Sequence, residues 1–279
     1  MNIHGNGLLH VMSIRLKGDS MRKKSTYVVL LVMLFTFFIV MFLTLGLNNI
    51  KQGQYDTTLL VGNDTVWKYS KKKWSNVSKL SSIKELNWKK FKVFNNNKEI
   101  GNYYLWHDDK WYAFDEKKNA IKMDGELLAY DANYDIDVVD YKEEEITDRT
   151  YVNKVLEDND LSISSKTTTE TLVRVDYDKD GIEEEFYLIS NVFALDFTPD
   201  ITFSIVFMVK NDTIYYIYKD ISSNKIYNGC MPYFTAFLDS DNDNQYEFIL
   251  SCARYSVSDV VKMLYKNKNG EFKILISNQ

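Results

Sequence analysis

The sequence predicts a mainly β, antiparallel ectodomain of hairpin repeats that follows one N-terminal transmembrane helix, with a single short helix inside the β part. Three observations predict it: an uncharged 22-residue run from Thr26 to Leu47, strand-like runs divided by Asn, Asp, Lys and Gly, and only 2 prolines in 279 residues. At 45% hydrophobic and 15% aromatic, the chain is neither disordered nor collagen-like, and 2 cysteines exclude a disulfide scaffold. The preference for 29 lysines over 5 arginines, with 24 asparagines, matches coding by an AT-rich bacterial genome.

The first element is the helix, residues 26–47, reading TYVVLLVMLFTFFIVMFLTLGL. At about 1.5 Å per residue it reaches roughly 33 Å, enough for a hydrocarbon core of about 30 Å. Arg15, Lys17, Arg22, Lys23 and Lys24 precede it, whereas residues 48–56 offer one lysine. The positive-inside rule therefore keeps residues 1–25 as a cytoplasmic tail and exports the rest, anchored in a bacterial plasma membrane. A cleaved signal peptide is the competing reading, but the run exceeds the usual stretch of about 7–15 residues and no A-x-A site follows. Residues 48–56 read as a short stalk.

Residues 57–141 form the predicted N-terminal β portion and 171–279 the C-terminal one. Four units carry the hairpin reading: Asn63 to Tyr69, His107 to Phe114, Asn211 to Tyr216, and Asn269 to Ile274. Each is a tight polar turn before an aromatic or branched strand, and each follows an apolar run. Asn and Asp tolerate positive φ and so make hairpin turns that scarce glycines cannot. Between the portions, residues 142–170 are the connection. There 143–157 place Tyr151, Val152, Val155 and Leu156 on one helical face behind an acidic first turn, and 158–170 read as a loop.

Beyond residue 47 stand 29 basic against 38 acidic residues, a net charge of −9. Such a field favours cations and disfavours nucleic acid as a partner. The lysine clusters at 71–73 and 89–90 read as solvated strand ends. Cys230 and Cys252 lie in the exported part, and their separation of 22 leaves a disulfide and two buried thiols equally open. No Cys/His spacing suits zinc.

Two segments match each other. Asp176, Asp178, Asp180, Gly181 and Glu184 stand between strand-like runs, as do Asp239, Asp241, Asp243, Asn244 and Glu247, 63 residues later. Both spell D-x-D-x-D-[GN]-x-x-E. Alternate residues of a tight loop turn their oxygens inward, so positions 1, 3, 5 and 9 can surround one hard cation, with the position 7 carbonyls of Ile182 and Gln245 added. Calcium, which takes about 6–8 oxygens at roughly 2.3–2.6 Å, suits this better than magnesium, which holds its waters. An EF-hand needs a glutamate at position 12 and flanking helices; Tyr187 or Leu250 stands there, between strands. A weaker third copy runs from Leu127 to Asp137.

These two segments resemble the calcium loops of FG-GAP or VCBS-type repeats, found in integrin-α-like β-propellers and bacterial surface proteins. The resemblance covers two stretches of about 20 residues and implies blade-like sheets, with Asp176, Asp178, Asp180, Ile182 and Glu184 as one calcium site. Asp239, Asp241, Asp243, Gln245 and Glu247 would form the other. The Phe-Gly and Gly-Ala-Pro signatures of that family are absent here, and Asn244 replaces the usual glycine.

Enzyme signals are sparse. His107 is the sole exported histidine and sits at a turn; no G-x-S-x-G, S-x-x-K, G-x-G-x-x-G or P-loop is present. The expectation is a non-catalytic, calcium-stabilised binding or assembly module at the cell surface, with a protein or glycan ligand. The alternative is a membrane-tethered glycan-processing hydrolase using paired carboxylates. All five tryptophans, Trp67, Trp74, Trp88, Trp106 and Trp111, fall in the N-terminal β portion, which is where a ligand surface is to be sought.

Overall fold

The computed structural model describes residues 56–95, 98–122, 126–134, 136–162, 167, 169–192, 201–223, 229–254 and 260–278. The apolar run 26–47 lies outside the described residues; no helix among those described is long and apolar enough to cross a membrane. Residues 54–279 form one compact unit. Its elements are mainly strands, numbered here in chain order, and every strand pair is antiparallel.

The first sheet runs in the order β3-β2-β1-β8-β4-β5-β6-β7. Its strands are β1 Thr57–Val61, β2 Thr65–Ser70, β3 Lys73–Asn76, β4 Lys89–Asn95, β5 Lys98–His107, β6 Trp111–Phe114, β7 Ala120–Ile121 and β8 Leu127–Asp131. The second sheet is β10-β11-β12-β13-β14, formed by Glu143–Glu145, Thr169–Val175, Glu184–Ser190, Thr202–Lys210 and Thr213–Ser222. The third is β18-β17-β16-β15-β9, formed by Glu271–Ser277, Val260–Lys268, Glu247–Arg254, Cys230–Asp239 and Asp137–Val139. Among the described residues the sheets do not close into a barrel.

All four expected hairpins are present. Lys210 pairs with Thr213 across Asn211 and Asp212, and Lys268 with Glu271 across Asn269 and Gly270. All four turn residues have positive φ, from 49° at Asn211 to 82° at Gly270, as a two-residue turn matched to strand twist requires. The helical expectation needs a correction. Helix α2 spans Thr150–Asp158 and buries Val152, Val155 and Leu156, but Glu143–Glu145 form edge strand β10 against β11 instead of its first turn. Glu143, Glu144 and Glu145 pair in register with Val173, Leu172 and Thr171, so their backbone groups complete the β11 edge, where Arg174 also pairs with Glu144. A second helix, α1 (Leu80–Lys84), carries only five residues and no apolar period that would have marked it.

Alternation along β16 explains the stacking. Phe248, Leu250 and Cys252 face the second sheet in a core with Phe186, Val206 and Phe237, whereas Ile249 turns the other way toward Leu59, Trp67 and Tyr130 of the first sheet. The third sheet is thus buried on both faces, and its strands read as nearly continuous apolar runs. Helix α2 covers the far face of the second sheet through Leu172, Tyr187 and Phe207. Truncating a ring such as Phe248 to alanine removes about 3–5 kcal/mol by this burial. Cys230 and Cys252 form a disulfide between β15 and β16 with Cα atoms 5.2 Å apart, resolving the choice that their spacing left open.

Candidate metal centres in two acidic loops

Each acidic loop joins the first two strands of a four-strand meander, β11-β12 or β15-β16, so the two occupy equivalent places in the second and third sheets. Their internal hydrogen bonds are also equivalent. Asp176 accepts the backbone N–H groups of Asp180 and Gly181, and Asp239 accepts those of Asp243 and Asn244. Asp180 accepts from Ile182 as Asp243 does from Gln245; Glu184 Oε2 accepts from Tyr177 N as Glu247 Oε2 does from Ser240 N. Position 4 lies in the left-handed region in both, with φ 58° at Lys179 and 56° at Asn242. A chain of acids repeating at 1, 3, 5 and 9 therefore winds into the same cup twice.

Ligand oxygens of Asp176, Asp178 and Glu184 converge to within 4.8 Å of one another, and so do those of Asp239, Asp241 and Glu247. These two clusters can hold a metal ion. Asp180 and Asp243 stand at the rim, where each instead reaches a lysine. The glutamates are the inner wall: as first residues of β12 and β16 their side chains are only 1% and 0% exposed.

Sequence reasoning missed the lysines. Pairing of Glu185 with Val209 sets Glu184 opposite Lys210, and pairing of Phe248 with Tyr265 sets Glu247 opposite Lys266. Lys210 Nζ lies 2.6 Å from Asp178, 2.9 Å from Asp180 and 2.7 Å from Glu184. Lys266 Nζ lies 2.9 Å from Asp241, 2.8 Å from Asp243 and 2.6 Å from Glu247. In each cup an ammonium group from the third strand supplies one positive charge against four carboxylates. A lysine in the last residues of the second strand after each loop, in Val209-Lys210-Asn211 and Tyr265-Lys266-Asn267, was the available signal.

That imbalance sets the electrostatics. Burial pushes Glu247 up to about 7, helped by Asp241 and opposed by Lys266. Burial likewise raises Asp241 and Glu184. For Lys266, burial pulls down, but Glu247, Asp243 and Asp241 outweigh it and hold the ammonium above the usual lysine range; Asp178, Glu184 and Asp180 do the same for Lys210. The lysines stay charged, and the cups retain excess negative charge.

The cups also touch. Lys179, at position 4 of the first, lies 3.0 Å from Asp239 of the second and 2.9 Å from Asp137, with its ammonium 4.4 Å from the Tyr246 ring centroid. Tyr246 N donates to Tyr177 O at 2.8 Å. Asp137, the last acid of the weak third copy, thus serves as a partner for Lys179. Beside the second cup opens a cleft of about 670 Å³ lined by Phe94, Tyr130, Glu99, Asp137 and Asn242. Its Asp137 is held by Lys179 and Tyr246, and its Glu99 lies 3.8 Å from Lys92.

The other sequence candidates separate. Trp67 and Trp111 are core residues, Trp74 packs against Tyr69, and Trp88 and Trp106 remain on the surface side of the first sheet. His107 ends β5 with its ring 4.8 Å from Trp111. No family model matches the chain, and neither a curated protein nor a solved structure does.

Proposed function

We propose that the chain is a single-pass bacterial membrane protein whose extracytoplasmic β domain is a non-catalytic binding or assembly module, stabilised by calcium in its acidic loops. The observation that carries the reading is the duplicated cup: the same four acids, the same hydrogen bonds and the same cross-strand lysine in each of two sheets. In the first cup Asp178 Oδ1 is buried with no hydrogen-bond donor, since Lys210 reaches only Oδ2, and this is the unfilled demand that a hard cation meets. The FG-GAP or VCBS resemblance supports the same ion, with the carbonyls of Ile182 and Gln245 completing the shells. Membrane anchoring rests on residues 26–47 and the basic residues before them.

The hydrolase reading fits less well. A general acid must touch its substrate, and the carboxyl group poised near neutrality, Glu247, is fully buried behind Lys266. All ligands of each cup come from one local loop, which suits pinning a hairpin. Thermal melting of the full-length chain in calcium and then in EDTA tests the proposal. At calcium a hundredfold above its dissociation constant, stabilisation of about 2.7 kcal/mol is expected; an identical midpoint in millimolar calcium and in EDTA would refute the metal role.

A further inference from the structure

The outer face of β4, β5 and β6 is a second surface with its own chemistry. Cross-strand pairs Tyr104 with Phe114 and Trp106 with Tyr112 fall on one side, while Leu105, Trp111 and Ala113 fall on the other, inside the core. Trp88, just before β4, joins the outer row with its ring centroid 5.2 Å from that of Phe114. Its side is 47% exposed, although its backbone sits at a φ of 62° that a bulky residue rarely adopts. The hydrogen bond from Trp88 N to Leu105 O, 2.7 Å, holds it there. The backbone is thus held in the left-handed region with the Trp88 ring half exposed to solvent.

Ammonium groups stand over these rings: Lys90 lies 5.8 Å from the Tyr104 centroid, Lys110 5.4 Å from Tyr112 and Lys118 5.6 Å from Trp88. Acceptors lie among them, with Asp109 bonded to the Tyr112 hydroxyl and Glu116 to Lys90. The wider charge pattern follows the same division. Residues 65–122 carry 14 lysines against 6 acids, net +8, whereas residues 123–279 carry 14 basic against 30 acidic residues, net −16. The aromatic face therefore belongs to the one basic stretch of an acidic domain.

We infer that this face binds an acidic glycan. Sugar rings lay their C–H faces on aromatic rings, their hydroxyls need both donors and acceptors, and carboxylate or phosphate substituents complement the lysines. A protein partner would also use aromatic anchors, but protein interfaces deplete lysine at their centre, whereas here three lysines stand directly over the rings. Nucleic acid would favour arginine, absent from residues 65–122, and its dense phosphates would meet the acidic remainder of the domain. The inference rests on reading the chain as a non-catalytic binding module and names its ligand class.

Isothermal titration of the full-length chain in EDTA tests it, with polygalacturonate, phosphorylated dextran, unmodified dextran, oligo(dT) and phosphatidylglycerol vesicles as probes. Polygalacturonate and phosphorylated dextran distinguish carboxylate from phosphate recognition, and at least one is expected to bind tenfold or more tightly than unmodified dextran. Trp88→Ala and Trp106→Ala should each weaken that binding at least tenfold, and Lys90→Gln with Lys118→Gln severalfold, while the exposed control Tyr216→Ala leaves it unchanged. Circular dichroism of each variant checks the fold. Absence of binding to both acidic glycans, preference for oligo(dT) or vesicles, or tryptophan variants that are folded and bind like the parent would each overturn the inference. Release of reducing ends from a bound glycan would instead overturn the non-catalytic reading and leave the binding face standing.

Discussion

The two acidic cups share a sequence pattern and a hydrogen-bond scaffold, yet they satisfy their charges differently. In the second, Lys266 is 9% exposed and reaches both oxygens of Asp241, one of Asp243 and Glu247 Oε1. In the first, Lys210 is 22% exposed and reaches Glu184 Oε1 and one oxygen each of Asp178 and Asp180, leaving Asp178 Oδ1 without a donor. The third sheet lies between the other two, so its cup is more deeply walled and its lysine more tightly enclosed. An ammonium group bridges three acids in both cups, but the second is the more enclosed, and only the first keeps a buried carboxylate oxygen without a donor.

Removing the clamp gives the largest expected effect. Lys266→Met leaves Glu247 and Asp241 facing each other without compensation, and breaking a buried ion pair of this kind costs about 3–5 kcal/mol. Lys210→Met, at a wetter site, should cost about 1–2 kcal/mol, between the buried and surface limits. Urea melts in EDTA measure both. Protonation of Glu247 relieves the repulsion, so the Lys266→Met loss should shrink from pH 8 to pH 6; equal losses at the two lysines would erase the distinction between the cups.

Next in size is a pH effect. The folded value of Glu247, about 7, lies above its ordinary 4.5, so the folded state holds this proton more tightly than the unfolded chain. Its contribution is full below about pH 4.5 and is lost as pH rises through about 7; at 1.36 kcal/mol per unit the change is about 3 kcal/mol. Glu247→Gln, fixed neutral, should flatten that part of the stability profile in EDTA. Glu184→Gln should act in the same direction and less. A profile unchanged by Glu247→Gln would place Glu247 in water rather than in the cup wall.

The calcium response should divide the cups further. Asp178→Asn removes ligand capacity at the carboxylate oxygen left without a donor, and should abolish most of the roughly 2.7 kcal/mol available at a hundredfold excess over the dissociation constant. Asp241→Asn, beside the clamp, should remove a smaller share. Calorimetric titration of both variants compares them directly, and a larger loss at Asp241 would reverse the assignment.

Much of this was legible in the sequence for local reasons. Turn chemistry located the four hairpins because residues such as Asn211, Asp212, Asn269 and Gly270 act through their own φ, and the D-x-D-x-D spacing located both cups because their acids come from one short stretch of chain. What was not legible is non-local. Lys210 enters its cup from 26 residues beyond Glu184 through strand register, and β9 leaves the neighbourhood of β8 to pair with β15. The outward turn of Trp88 and Trp106, against the burial of Trp67 and Trp111, depends on which face of a curled sheet meets the core.

The smallest contrast concerns the bend at position 6. Gly181 has φ 90° with open space around its missing Cβ, and Asn244 has φ 67° at the same place. The resemblance marked Asn244 as a departure from glycine, but asparagine enters the left-handed region at modest cost, and both residues offer the N–H that the position 1 aspartate accepts. Gly181→Asn should therefore change stability by only a few tenths of a kcal/mol, whereas Gly181→Val, β-branched at that φ, should cost about 1–2 kcal/mol. Asn244→Gly should also stay within about 0.5 kcal/mol, since loss of a tolerated left-handed side chain is offset by greater unfolded-chain entropy. Equilibrium unfolding of the three variants checks this. A large loss in Asn244→Gly would mean that the asparagine side chain, and not its backbone, shapes the second cup, and the two bends would then be unlike.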